Sequence, residues 1–188
     1  MKDYRLPDRC YIRRHETEPR SLTPSGIIIH YVSNKWKNPK NPYVLEECIN
    51  AFAQYNYSYH DIIDRDGNII DLMPLEHQAI HAGYSLLNGK DNCNSWTFGV
   101  ALLNNGKDEY TSKQIDAIIA YCAGKCMDYK FDANDIAGHD DVRRAWRLKY
   151  PALVARYGKK ARKKYDPGRK FPMAEVKAEI MRRIHYAE

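Results

Sequence analysis

Hydrophobic and polar positions along the chain follow two periods. Ile27 to Val32 is largely β-branched and apolar, which predicts a buried strand. Val44, Leu45, Cys48, Ile49 and Phe52 recur at the three-to-four spacing of an amphipathic helix over 44–55. Two strand-like runs, Tyr59 to Asp64 and Asn68 to Met73, flank Arg65-Asp66-Gly67, and Asp-Gly there predicts a hairpin turn. Residues 77–94, rich in His, Gly, Asn and Ser, read as irregular, and Trp96 to Leu103 reads as another buried strand. Thr111 is placed to cap a helix whose apolar face runs through Ile115, Ile118, Ile119 and Cys122. Asp135-Ile136-Ala137 predicts a short strand ending at Gly138-His139. Basic, helical sequence continues to Lys164 with breaks near Pro151 and Gly158, and a closing helix covers 172–186. Interleaved strands and helices predict a single α/β domain with a mixed central sheet flanked by helices.

Length and composition narrow this picture. A chain of 188 residues holds one domain and a small appendage, read here as a lead-in over 1–25 and a domain over 26–188. A hydrophobic fraction of 44% excludes wholesale disorder, and runs such as Gly26 to Ile29 are too short to span a bilayer. Met1 to Arg5 leads into charged sequence without the apolar core of a secretory signal, so a cytoplasmic site of synthesis is expected. Five cysteines, an odd number without CxxC spacing, argue against a disulfide framework.

Charge changes the picture more. The formal net charge of +6 conceals a net of −3 over 1–138 and +9 over 139–188. Between Arg143 and Lys170 stand 12 basic residues and one acid, Asp166. Such a block suggests an anionic partner, whether nucleic acid, a membrane surface or an acidic wall polymer, or else a merely solvated helix face.

Candidate chemistry centres on histidine. His30 lies in the first strand, His60 on the hairpin, His81 in the irregular stretch and His139 after the short strand. Asp166, in Lys164-Tyr165-Asp166-Pro167-Gly168, sits where Pro and Gly enforce an extended residue and then a tight turn. Two imidazoles and one carboxylate suffice for a zinc ion with an open fourth position. Read alone, Asp166 is more simply an ordinary turn residue.

Taken in order, these pieces form a pattern: Ile27-Ile28-Ile29-His30-Tyr31, Ser58-Tyr59-His60-Asp61-Ile62-Ile63, Ile80-His81-Ala82-Gly83-Tyr84, Asn94-Ser95, Gly138-His139 and Lys164-Tyr165-Asp166-Pro167-Gly168. The series resembles the type 2 N-acetylmuramoyl-L-alanine amidases, a superfamily of muropeptide-recycling amidases, phage amidase lysins and peptidoglycan recognition proteins. The resemblance covers about residues 26–186. It implies a zinc site in a surface cleft, with His30, His139 and Asp166 as ligands and hydrolysis of the bond between N-acetylmuramic acid and L-alanine. It further implies that Lys164 and Tyr59 are catalytic, and that His60, His81 and Asn94 meet the substrate, a peptidoglycan or muropeptide.

The chain departs from the pattern twice. The strand matching Trp96–Asn104 lacks the catalytic Glu of recycling-type members, which shifts that role to Tyr59 in the phage-like manner. The gap between His139 and Asp166 is longer than the family needs, so 143–163 is expected to be a basic insertion or extended loop bordering the cleft and gripping wall polymer. Both features favour a phage or prophage endolysin, released to the wall after cytoplasmic synthesis. The alternatives are a cytoplasmic recycling amidase and a non-catalytic peptidoglycan-binding module. Nucleic-acid binding is not expected, since the basic tract matches no such motif despite Trp146, Tyr150, Tyr157 and Tyr165.

Overall fold

Alternation along the first strand, β1 (Ile27–Val32), determines how the sheet is covered. Ile27 and Ile29 face one side, packing with Phe98, Val100, Leu102 and the helix residues Ile118, Cys122, Val176 and Ile180. Ile28, His30 and Val32 face the other. In this computed structural model, residues 19–20 and 22–187 are described. His15 and Cys10, and with them most of the expected lead-in, lie outside those residues.

The chain continues through α1 (Leu45–Ala53), the hairpin β2 (Asp61–Ile63) and β3 (Ile69–Asp71), and the small ribbon β4 (Leu86–Leu87) and β5 (Lys90–Asp91). After it come β6 (Phe98–Leu103), α2 (Ser112–Tyr129), β7 (Ile136–Gly138), α3 (His139–Lys149), α4 (Pro151–Tyr157) and α5 (Met173–His185). Five strands form one mixed sheet in the order β3-β2-β6-β1-β7. β1 runs parallel to β6 and β7, β2 runs parallel to β6, and β3 returns antiparallel to β2. The expected α/β architecture is therefore the observed one.

Helices α2 and α5 cover one face. Thr111 caps α2 as expected, its hydroxyl accepting from the Gln114 N–H at 3.1 Å while Gln114 returns the bond. The opposite face carries two separate apolar clusters. One joins Val32, Ala101 and Leu103 to Cys48, Ile49 and Phe52 of α1. The other joins Ile28 to Ala82, Trp96, Ala137 and Val142. His30 lies on the strip between them, so the polar site is set into a gap in the core of that face. Cys48, Cys93, Cys122 and Cys126 are all buried thiols.

One segment differs from expectation and another resolves two expectations. Residues 77–94 contain β4, β5 and a 3-10 turn at Cys93–Ser95, elements too short to show a period in sequence. The basic stretch 143–163 is helical with breaks at Pro151 and Gly158, as the pattern predicts, and only the alternative of an extended loop is set aside: it comprises most of α3, all of α4 and a 3-10 turn at Gly158–Ala161. Pro151 opens α4, where its missing N–H costs nothing, and Gly158 at φ +51° ends it.

One buried pair on the sheet makes stability depend on pH. The Tyr121 hydroxyl donates to Asp61 Oδ2 at 2.7 Å, yet burial pushes the Asp61 carboxyl up to about 6. The folded state thus holds this proton more tightly than the unfolded chain, and stability is lost as pH rises from about 4 through 6. Asp61→Asn should raise stability at pH 7 by on the order of 2 kcal/mol, with the gain vanishing below pH ~4. Urea unfolding at the two pH values measures it, and equal effects at both would contradict the account.

Candidate metal centre

The parallel register β1–β7 brings the two distant histidines together. Ile29 pairs with Gly138, so His30 and His139 are neighbours one residue further along, with ring centroids 4.7 Å apart. Gly138 is needed there, because a Cβ would meet Pro167 Cδ at 2.7 Å. That close approach lets Asp166 reach both rings. The Asp140 N–H donates to the Asp166 carbonyl at 2.9 Å, and the Asp166–Pro167 peptide is cis. Asp166 Oδ2 lies 2.8 Å from His30 Nδ1 and 3.0 Å from His139 Nδ1. One donor atom from each of the three residues falls within a 4.8 Å cluster.

Hydrogen bonding assigns the ring protons. His139 Nε2 lies 3.1 Å from the Ala82 carbonyl, which can only accept, so Nε2 carries hydrogen. A second chain of bonds leads to His30. The Thr97 hydroxyl donates to the Cys93 carbonyl at 2.7 Å and faces His81 Nε2 at 3.5 Å. His81 Nδ1 is then the acceptor for His30 Nε2 at 3.0 Å. Burial lowers the His30 pKa to about 4 and the His81 pKa well below its ordinary value, so both rings are neutral near pH 7. His30 thus directs the Nδ1 lone pair at the Asp166 oxygen, and the neutral form of His139 does the same. Three candidate donors thus converge at one point, the arrangement in which they could hold a cation. Their N, N, O chemistry and outward-supported imidazoles suit a zinc-like metal.

His139 and Asp166 line a cavity of about 140 Å³, with Tyr59 and Lys164 also in its wall. Through Tyr57, His81, His139 and Lys164 this cavity shares walls with a cleft of about 910 Å³. Arg143, Trp146, Tyr157, Lys160 and Arg162, all from the basic segment, line that cleft. The segment is anchored by Tyr84, stacked between Trp146 at 4.8 Å and Tyr157 at 4.9 Å.

A family model described as N-acetylmuramoyl-L-alanine amidase (Amidase_2) matches residues 20–169. The chain belongs to this amidase family. It is 23% identical over 182 residues to the 1,6-anhydro-N-acetylmuramyl-L-alanine amidase AmpD of Citrobacter freundii, covering 91% of this chain and 88% of that one. Its fold matches the endolysin amidase LysCS from Clostridium intestinale, with TM-score 0.57 and 24% identity over 87% and 89% of the two chains. It also matches the Escherichia coli amidase AmiD, solved with anhydro-N-acetylmuramic acid-L-Ala-D-γ-Glu-L-Lys, at TM-score 0.62 and 20% identity over 83% and 57%.

Seen as an amidase, the chain brings together His30, His139, Asp166, Tyr59, Lys164 and His81, but not His60. That residue is fully buried, and Nδ1 accepts from the Gly99 N–H at 2.9 Å. Nε2 faces the Arg20 guanidinium and the His77 carbonyl. His60, expected to meet the substrate, lines neither cavity, and its ring nitrogens are engaged with the backbone of β6, Arg20 and His77 instead. His81 lines both cavities, but its ring nitrogens are engaged with His30 and Thr97, which makes it a support for a ligand. Its place depends on Gly99, where a Cβ would stand 2.5 Å from the ring. Asn94 lines the cleft while Oδ1 accepts from the His81 and Ala82 N–H groups at 3.1 and 2.7 Å. Ala101, the register partner of His30, stands beside the metal donors on a strand without acid. Arg143 and Tyr57 were missed as site residues: the first was one basic residue of 12, the second one tyrosine of 15.

Asp166→Ala should abolish retention of zinc through gel filtration, read by elemental analysis; a stoichiometric metal content in this variant would refute the ligand set. His81→Ala should weaken zinc binding by roughly 10–100-fold in a chelator competition, as for other lost supports of metal-bound imidazoles.

Proposed function

We propose that this amidase is zinc-dependent and works on wall peptidoglycan as a phage or prophage endolysin. His30, His139 and Asp166 would hold the metal. The convergence of those three donors beneath a cleft with Lys164 and Tyr59 at its neck carries the reading. Bound zinc would supply a Lewis acid and lower the pKa of a water towards ~7. The protein's own groups do the rest. Lys164 is half-buried, and partial burial lowers its pKa while Asp166 opposes the change. Its ammonium is positioned for the negative charge that develops on the amide oxygen. Burial, then the Asp166 charge, pushes the Tyr59 phenol far above its ordinary value. Tyr59 therefore keeps its proton at neutral pH, orienting water or donating to the reacting amide rather than acting as a free base. Hydrolysis leaves a lactyl carboxylate on the sugar and a free amine on L-alanine.

The absence of an acid on β6 and the basic cleft favour the lysin. A cytoplasmic recycling role is the second reading, supported by curated relatives named as AmpD amidases of anhydromuropeptides. A non-catalytic binding module fits less well, since the donor set is complete. No described helix is long and apolar enough to cross a membrane.

The metal-replete protein should release peptides from purified sacculi and lose that activity with a chelator; activity on isolated anhydromuropeptide alone would favour recycling. No cleavage of either would refute the amidase. Lys164→Ala should retain zinc and lower kcat by roughly 10²–10³-fold, the cost of one lost oxyanion partner.

A further inference from the structure

We propose that Arg143, brought into the cleft by the helical basic segment, is a subsite for a free carboxylate on the stem-peptide residue that follows L-alanine. The proposal rests on the amidase reading and adds a substrate preference to it.

Arg143 is 4% exposed, yet it lines the cleft. Its Nη2 donates to the Ala82 carbonyl at 3.3 Å and its Nη1 to the Lys160 carbonyl at 3.5 Å. Nε has no partner among the described residues, and is the one buried side-chain polar atom of those residues in that condition. Both partners are neutral carbonyls, so the guanidinium is buried without a carboxylate in ion-pair contact among the described residues. Burial lowers its pKa accordingly. A buried cation of this kind is costly until an anion completes it. The sole acid lining the cleft, Asp91, is occupied by the Tyr150 hydroxyl at 2.6 Å and Lys149 at 3.7 Å. Gly83 leaves room for the group, since a Cβ there would stand 3.0 Å from Nη2.

Position selects the ligand. Arg143 and the metal-site residue His139 bond to the same Ala82 oxygen, so the guanidinium lies within two hydrogen-bond lengths of the His139 ring. An anion held there belongs to the residue next to the scissile amide, not to a distant part of the polymer. In the peptide bound to AmiD, L-alanine is followed by γ-linked D-Glu. A γ linkage leaves the α-carboxylate free, the first charge along the peptide arm. A planar guanidinium with an unpaired Nε donor suits a carboxylate better than a point charge would.

The test compares muramyl-L-Ala-D-γ-Glu-L-Lys with the same compound amidated at the glutamate α-carboxyl. The zinc-loaded protein should favour the free carboxylate by about tenfold or more in kcat/KM. Arg143→Gln, with zinc content checked, should bring the ratio close to one. Arg156→Gln, the same charge change in α4 outside the cleft lining, should keep it. Arg143→Lys, which retains charge without the planar fork, should keep part of the ratio and serves if the Gln variant does not fold. Equal wild-type rates, or a preference that survives both Arg143 variants, would overturn the subsite while leaving the amidase intact. If neither compound is cut, the amidase reading fails and this one with it.

Discussion

Three lone pairs pointed at one another would be stabilised by a cation between them, and much of this fold holds the three candidate donors in that arrangement. Each imidazole could relieve the conflict by turning its N–H inward, as an unrestrained histidine would. Ala82 prevents this for His139 by offering only a carbonyl, and the Cys93–Thr97–His81 relay prevents it for His30. The backbone of His81 and Ala82 is in turn gripped by Asn94. A loop of little regular structure thus sets the protonation of ligands on two strands.

The sheet explains why such a loop is possible. Hydrophobic burial on the α2–α5 face is continuous, whereas the opposite face is divided into two clusters. A gap in a core ordinarily weakens a domain, because apolar neighbours lose contacts on one side. Here polar rings fill it, and Gly99 and Gly138 provide the space by omitting a Cβ. Their value lies in close approach across strands, not in backbone freedom.

That distinction also marks what was legible in the chain. β1, β6, α1, α2 and α5 follow from apolar spacing because each buries one face against a regular neighbour. The three candidate metal donors were legible only as scattered motif residues, since the β1–β7 register that unites His30 with His139 leaves no trace in spacing. His60 and His81 both stand in motif-like runs, yet only His81 lines a cavity, because whether a ring faces a cavity or a carbonyl depends on tertiary packing. Residues 143–163 showed charge, and charge alone cannot tell an outward helix face from a cleft wall.

The orientation of that segment is decided by aromatics. Tyr84 belongs to the same run as His81 and Ala82, and it is clamped between Trp146 of α3 and Tyr157 of α4. Stacked pairs of this kind contribute about 0.5–1.5 kcal/mol each beyond the area they bury. The stack therefore ties the basic wall to the loop that sets the ligand tautomers, and Arg143 repeats the link through Ala82. Movement of the wall would strain the carbonyl that orients His139. Substrate preference and metal geometry are consequently coupled through one short segment, 81–84, and neither can drift far without the other.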